Sequence, residues 1–391
     1  MAANMREALE AANKIGYPVM VRPSYVLGGR GMEIVYNAAQ LESYMNAAIG
    51  VTPDRPILID RFLNHALECE ADAISDGVHA YVPAVMEHIE LAGIHSGDSA
   101  CLIPSKHISP KNLEIINEYT RKIAEELHVV GLMNMQYAIE RDKVYVLEAN
   151  PRASRTVPLV SKVCNIRMVP LAVEIIINKL INKPSPVEDL LKSKRVINYY
   201  GVKEAVFPFK MFREADPVLG PEMRSTGEVL GIAESVGEAF VKAEEAAGSS
   251  LPLSGAVLFA IGTRDLGEIS DIASRFNNLG FKILATGETC ETLIKAGINA
   301  QHVNKIYEGR PNVLDFIING EVDLIINTPS FNLNARAEWG GEMRRSAVRA
   351  RLPIITTIAA ARAAIEGIEY MRSHNANAEP KSLQEWHAEI N

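Results

Sequence analysis

Beyond residue 252 the chain repeats a pattern that leaves few folds open. Apolar runs at Ala256–Ile261, Phe281–Ala285, Asp323–Asn327 and Pro353–Thr356 alternate with helical spacing over Leu266–Leu279, Thr289–Ala296, Val313–Asn319, Met343–Arg349 and Ala359–Met371. The runs are apolar on both faces, and intervening helices supply the cover, so a parallel α/β sheet is expected. Ala246-Ala247-Gly248-Ser249-Ser250-Leu251-Pro252 is small, polar and closed by proline, and reads as the linker that precedes it. Two domains follow, 1–246 and 253–391.

The first domain begins differently. Helical spacing over Arg6–Ile15 stops at Gly16-Tyr17-Pro18, and Val19–Val21 is a short strand. The glycine-rich stretch Ser24–Gly31 then leads into a second strand at Met32–Val35. This is a hairpin with a tip free of bulky side chains, not the strand–loop–helix of a phosphate loop. Further strands are read at 56–60, 67–74 and 78–86, a long helix at Pro110–Leu127, and helices at Pro158–Val163 and Met168–Leu180.

A net charge of -8 and a pI near 5.7 argue against a nucleic-acid or anionic-membrane surface, while still permitting local basic pockets. Cys69, Cys101, Cys164 and Cys290 are far apart and form no CxxC pair, which suits unpaired thiols in a reducing compartment. The longest apolar-rich segment, Val169–Ile181, contains Glu174, Asn178 and Lys179 and is too short and polar to span a bilayer. Residues 1–20 carry no signal-like apolar stretch, so a cytoplasmic protein is expected.

The most informative segment is Gly131–Arg152, two strands about a polar turn at Arg141-Asp142-Lys143. A hairpin centred on Asp142 sets Gln136 opposite Glu148 and Asn134 opposite Asn150. All four polar side chains then share a face, with Met135, Tyr137, Leu147 and Ala149 on the other. Converging carboxylate and amide oxygens are hard ligands suited to Mg2+. The competing reading is the solvent-facing side of an ordinary hairpin, and a one-residue slip would exchange the faces.

Together, PSYVLGGRGMEIV (23–35), AGIHSGDSAC (92–101), GLMNMQYAI (131–139) and LEANPRASRTVPLVSK (147–162) resemble the second ATP-grasp half of carbamoyl phosphate synthetase large chains. GPEMRSTGEVLGIA (220–233) resembles the segment after that half. The region from about 252 resembles the family's methylglyoxal-synthase-like regulatory domain, a five-stranded parallel Rossmann-like sheet. The resemblance implies a glycine-loop lid over about 16–90, a core over about 91–246, and phosphorylation of carbamate by a second ATP for pyrimidine and arginine biosynthesis.

It further implies that Gln136, Glu148 and Asn150 hold Mg2+ or Mn2+, two ions being expected. Arg22, Arg61, Leu63, Glu68, Gly93, Ile94, His95 and Ser96, with Gln136 and Glu148, match the ATP site, and Arg152 and Arg155 match residues near the transferred phosphoryl group. Arg61 departs from the histidine of a relative. His95 is expected to contact nucleotide and not to act as a general base.

In the regulatory domain Thr286, Thr289, Lys305 and Asn327 match ligands of a nucleotide effector, with UMP the first guess. The position of another phosphate-binding lysine is Leu266, and two hydroxyl-bearing positions are Pro329 and Gly340; Arg264, Arg344 or Arg345 are the substitutes considered. Glu90, Asp98, Lys203, Glu204 and Thr356 match the surroundings of an ornithine activator. Since only a short helix precedes Val19, a fragment is expected. Its partners would be the missing part of the large subunit and, in the full enzyme, a glutaminase small subunit and further copies. The alternatives are another ATP-grasp ligase and a nucleotide-binding fragment inactive by itself.

Overall fold

The structure, a computed structural model, describes residues 1–24, 31–49, 56–63, 66–193, 195–212, 215–328, 338–374 and 381–390. In chain order the strands are β1 (Val19–Pro23), β2 (Glu33–Val35), β3 (Ile57–Arg61), β4 (Leu67–Asp76), β5 (Ala80–Tyr81), β6 (Val85–Leu91), β7 (Cys101–Ile103), β8 (Val130–Glu140), β9 (Lys143–Asn150), β10 (Tyr200–Val206), β11 (Gly227–Ala233), β12 (Ala256–Ala260), β13 (Lys282–Thr286), β14 (Ala300–Val303), β15 (Leu324–Asn327) and β16 (Ile354–Ile355). The helices are α1 (Met5–Ile15), α2 (Ala38–Ile49), α3 (Pro110–Glu126), α4 (Val157–Val163), α5 (Met168–Leu180), α6 (Val187–Lys192), α7 (Val236–Ala246), α8 (Ile269–Asn278), α9 (Gly287–Lys295), α10 (Val313–Ile318), α11 (Glu338–Ala350), α12 (Ile358–Ser373) and α13 (Leu383–His387).

The first body is a small antiparallel sheet in the order β2-β1-β3 with α1 and α2 packed on it. Asn4 caps α1 by accepting from the Glu7 amide, Ala8 and Ala12 face the sheet, and Gly16 ends the helix at φ 88. The hairpin read from the sequence is present, pairing Val19 with Val35 and Val21 with Glu33. Its glycines Gly28 and Gly29 lie outside the described residues.

The second body is an antiparallel sheet in the order β11-β10-β7-β6-β4-β8-β9, with β5 also on β4. One face buries Cys69, Ala71, Met133, Met135 and Tyr137 against Ile116 and Ala124 of α3. The other buries Ile74, Met86, Cys101 and Ile103 under α4 and α5, and the uncovered remainder of that face forms a cleft. The single strand expected over 78–86 is divided into β5 and β6 at Pro83, whose nitrogen cannot donate to a ladder. β10 and β11, which complete the sheet, had no signal strong enough to be read.

The third body is the expected parallel sheet, ordered β14-β13-β12-β15-β16. Its edge strand β14 escaped the sequence reading because Gln301 and His302 are polar and exposed. The segment after α7 is short, but it does not separate loosely held domains. Phe240 and Ala243 of α7 share one core with Leu102 and Val202 of the second body and with Ala364 and Ile368 of α12. At the other end α13 returns to the second body, setting Trp386 against Tyr199 with ring centroids 5.2 Å apart.

Two glycines permit the α7–α12 approach. A Cβ on Gly237 would lie 2.6 Å from the Gly367 nitrogen, and one on Gly367 would lie 2.5 Å from the Gly237 carbonyl oxygen. Gly367→Ala should therefore destabilise the chain by roughly 1–3 kcal/mol through overpacking, although alanine favours a free helix by about 1 kcal/mol. A thermal-unfolding midpoint equal to or above wild type would contradict backbone contact between these helices.

Candidate functional site

The β8–β9 hairpin turns through Arg141 and Asp142, at φ 51 and 60, the two positive values of a type I′ turn. Glu140 accordingly pairs with Lys143 and Tyr137 with Val146, so the pivot lies between Arg141 and Asp142 and not on Asp142. Continued without interruption, this register would set Gln136 opposite Leu147. A β-bulge between Gln136 and Tyr137 in the pairing absorbs one residue of β9, and Gln136 faces Glu148 while Asn134 faces Asn150, as expected. Leu147, expected on the core face, is instead 46% exposed. Met135 and Tyr137 are buried and Ala149 packs beneath them.

The four polar groups do not act as one set. Asn134 is buried and turned toward β4, its Nδ2 donating to Glu70 Oε2 at 3.1 Å and Asp72 Oδ1 at 3.0 Å. Gln136 Nε2 donates to Ser96 Oγ at 3.1 Å, and Asn150 Nδ2 to Glu148 Oε1 at 2.7 Å. With their NH2 groups engaged, Gln136 and Asn150 leave their carbonyl oxygens to other partners, Gln136 opposite Glu148 in the ladder and Asn150 bonded to it. One carboxylate and two amide oxygens suit a hard cation that keeps water and phosphate ligands. Among the described residues no group of three His, Cys, Asp or Glu side chains is arranged to hold a metal.

The remaining residues that the resemblance matched to a nucleotide site fall on three segments around this cleft. Arg22 on β1 pairs with Asp60 at 3.2 Å, and Arg61 at the end of β3 reaches Glu140 of β8 at 2.7 Å, tying the small sheet to the large one. Leu63 is buried with Ala66 and Ala138. Glu68 accepts from the Gly93 amide at 3.3 Å, with Gly93 at φ 109. Ile94 follows. His95 Nδ1 accepts from the Gly97 amide at 3.0 Å, which assigns the proton to Nε2 in a neutral ring. Burial lowers the His95 pKa, and Arg155 adds to this against the opposing carboxylates. A neutral donor suits nucleotide contact, not base catalysis. Lys203 Nζ, itself buried, holds the carbonyls of Ser96 and Gly97 at 3.3 and 3.4 Å.

Arg152 and Arg155 follow β9 and are exposed. Arg152 donates to the Ala153 carbonyl at 2.9 Å, and Arg155 to Ser225 Oγ at 3.0 Å. Asp98 is fully buried, and its two oxygens accept from the amides of Arg224 (2.8 Å) and Ser225 (2.9 Å). It thereby fixes the segment that positions Arg155. The sequence reading also passed over the acidic floor of the cleft, Glu70 and Asp72, with His88 set between Glu68 (3.5 Å) and Glu70 (3.8 Å). Acidic residues alternating along β4 were the available signal.

At the parallel sheet, Thr286 and Asn327 are buried at strand ends and Thr289 is buried in the first turn of α9, where its Oγ1 accepts from the Ile261 amide at 3.0 Å. Thr286, the N-cap of α9, makes no side-chain capping bond. Lys305 reaches over Gly287, where φ is 40 and a Cβ would meet Nζ at 2.9 Å. Thr328, beside Asn327, accepts from the Gly262 amide at 2.9 Å. Pro329 lies outside the described residues.

Glu90, Glu204 and Thr356 line a cavity of about 210 Å3 between the second and third bodies, joined by Glu244, which the sequence reading missed. Burial pushes Glu90 and Glu244 up to about 7 and raises Glu204 well above the usual carboxylate range. Asp98 lies away from this cavity, beneath the 224–225 segment.

Comparison with known proteins follows this division. Residues 1–183 match the carbamoyl-phosphate synthase L chain, ATP binding domain, and residues 268–356 the MGS-like domain. The carbamoyl phosphate synthase large chain, C-terminal section, of Aquifex aeolicus is 45% identical over 98% of this chain and 74% of its own length. The chain belongs to the carbamoyl phosphate synthase large-chain family. The large chain of Archaeoglobus fulgidus is 50% identical over 100% of this chain, which spans 35% of that relative, so the chain covers about a third of such proteins. A solved biotin carboxylase from Campylobacter jejuni aligns with 61% of this chain and 59% of its own at a TM-score of 0.48 and 16% identity. No helix of the described residues is long and apolar enough to cross a membrane. The four cysteines are buried and unpaired, as expected.

Burial, reinforced by Glu70, pushes the Asp72 carboxyl up to about 6 despite bonds from Thr156, Asn134 and Ser154. The folded protein therefore holds this proton where the unfolded chain has lost it, so the contribution to stability is full below about pH 4 and falls as pH rises through about 6. Relative to wild type, Asp72→Asn should gain up to about 3 kcal/mol between pH 4 and 7. Denaturant unfolding in the presence of a chelator measures this, and a pH-independent difference would show that Asp72 titrates normally.

Proposed function

We propose that this chain is the carbamate-phosphorylating and regulatory part of a carbamoyl phosphate synthase, an ATP-dependent ligase. The placement of Glu148 and Asn150 beside Gln136, brought about by the bulge at Leu147 and bordered by His95, Ser96 and Arg155, is the observation that carries this reading. Gln136, Glu148 and Asn150 would hold Mg2+ or Mn2+, as two ions. Such ions supply charge neutralisation at the transferred phosphoryl group.

The chain's own groups do the remaining work. Arg22, Arg152 and Arg155 offer fixed positive charge to phosphate oxygens, with forked geometry that stays ionised. His95 and Ser96 donate to nucleotide, Leu63 and Ile94 flank the base, and Glu68 and Arg61 border the ribose side. The sheet of β1–β3 closes over the cleft and excludes water, which protects a labile carbamate. The sites for the remaining part of the large chain, a glutaminase subunit and further copies of the enzyme belong to the whole cytoplasmic protein. Because the chain spans about a third of its full-length relatives, a nucleotide-binding fragment without turnover is the second reading.

Thr286, Thr289, Lys305 and Asn327 form the site proposed for a UMP-type effector, at strand ends and a helix N-terminus suited to a phosphate. Glu90, Glu204 and Thr356, with Glu244, form the site proposed for an ornithine-like amine. Asp98 would act there only through the segment it holds.

Two measurements test these assignments. Glu148→Ala should weaken Mg-ATP binding at least ~10-fold, about 1.4 kcal/mol, while leaving the unfolding midpoint of the nucleotide-free chain near wild type. Retained Mg2+-dependent binding in calorimetric titration would refute the metal assignment. At the second pocket a cation requires ionised carboxylates, so ornithine affinity should rise with pH on the order of tenfold between pH 6 and 8 for each titrating group. In Glu90→Gln this slope should flatten, and a pH-independent affinity in wild type would place the amine elsewhere.

A further inference from the structure

We propose that residues 215–226 form a strap joining the effector pocket to the phosphoryl-transfer arginine, with the Arg344–Asp216 pair as its switch. The inference rests on the reading of Asn327 and its neighbours as a nucleoside-monophosphate site.

Arg344 on α11 is buried, and it uses both sides of its guanidinium. Nε and NH2 donate to Asp216 Oδ1 and Oδ2 at 2.7 and 2.6 Å, a bidentate pair across the boundary between the bodies. NH1 donates to Asn327 Oδ1 at 2.8 Å. Asn327 in turn donates through Nδ2 to the Ala260 carbonyl at 2.7 Å, so its amide is fixed from both ends. Burial alone would raise the Asp216 carboxyl, but the bonds from Arg344 hold it below the usual range.

From Asp216 the connection continues through the strap. The Asp216 carbonyl accepts from Arg224 NH1 at 2.7 Å. The amides of Arg224 and Ser225 are held by buried Asp98, and Ser225 Oγ accepts from Arg155 NH1 at 3.0 Å while donating to the Gly97 carbonyl at 3.2 Å. Midway, the Gly220 carbonyl accepts the amide of His95 at 2.8 Å. Hydrogen bonds, together with the backbone of the strap itself, thus link an effector-pocket amide to two residues of the nucleotide cleft.

A ligand shifts a conformational equilibrium only through contacts that differ between states. Asn327 provides that difference. A nucleotide that takes its amide as a partner must share or displace Arg344 NH1, which changes the hold of Arg344 on Asp216 and therefore the strap. The fit leaves little slack: a Cβ on Gly341 would lie 2.9 Å from Asp216 Oδ2. Arg155 is the candidate catalytic residue, whereas Ser225, Asp216 and Arg344 are positioning residues that act through it.

The test is reciprocal coupling, measured by titrating Mg-ATP into the full chain with and without saturating uridine monophosphate. In wild type the monophosphate should change the Mg-ATP dissociation constant by about fivefold or more. In Asp216→Asn, which keeps shape and removes charge, the change should fall to within about 1.5-fold of none, while the monophosphate alone still binds within about threefold of wild type. Gly341→Ala, which adds one methyl beside Asp216, should reduce the coupling without removing any bonding group, and it serves if Asp216→Asn does not fold. Full coupling in both variants would overturn the strap and leave the effector site standing. Monophosphate binding without coupling in wild type would do the same. No monophosphate binding to wild type would overturn the effector reading and the switch together.

Discussion

The contact between the backbones of α7 and α12 at Gly237 and Gly367 sets the frame for everything functional in this chain. With side chains at those positions the helices would stand further apart, and the single core running from Leu102 and Val202 to Ala364 and Ile368 would divide. The Arg344–Asp216 pair and the cavity of Glu90, Glu204 and Glu244 both lie between these bodies. Each needs a fixed separation, since a bidentate ion pair tolerates little displacement and a buried carboxylate depends on continued exclusion of water.

Within the large sheet a second constraint separates chemistry from packing. β4 and β8 are apolar toward α3 and polar toward the cleft, so one alternating pattern supplies both a core and a site. The same alternation places Glu70 and Asp72 where water is scarce, and Asn134, Ser154 and Thr156 answer them with hydrogen bonds. Neighbours drawn from β8 and the loop before α4 thus satisfy Asp72 and one oxygen of Glu70, whereas Glu70 Oε1 and both ring nitrogens of His88 are buried without a hydrogen bond among the described residues.

Much of this was legible in the sequence, though not always for the stated reason. Period-two patterning revealed the β8–β9 faces, yet the assumed pivot at Asp142 was one half-residue off and the unseen bulge at Leu147 restored the partners of Gln136 and Asn134. Apolar runs announced four strands of the parallel sheet, while β14, polar and at the edge, did not. The positions proposed for nucleotide and effector rest on family resemblance. What stayed hidden was long-range: Glu244 joining Glu90 and Glu204, Asp98 serving backbone amides, and Arg344 pairing with Asp216, 128 positions away. Such pairs have no local signature, because each residue alone reads as an ordinary charged position.

The return of α13 to the second body has a mechanical meaning. Trp386 rests on Tyr199, and His387 Nε2 lies 2.6 Å from the Lys162 carbonyl, in a core separate from the one that α7 shares with the parallel sheet. The chain is thus fastened to the second body before the parallel sheet, through the core shared by α7, and again after it, through α13. Both ends of the stretch that carries the sheet are anchored, so loss of either contact alone leaves the other in place.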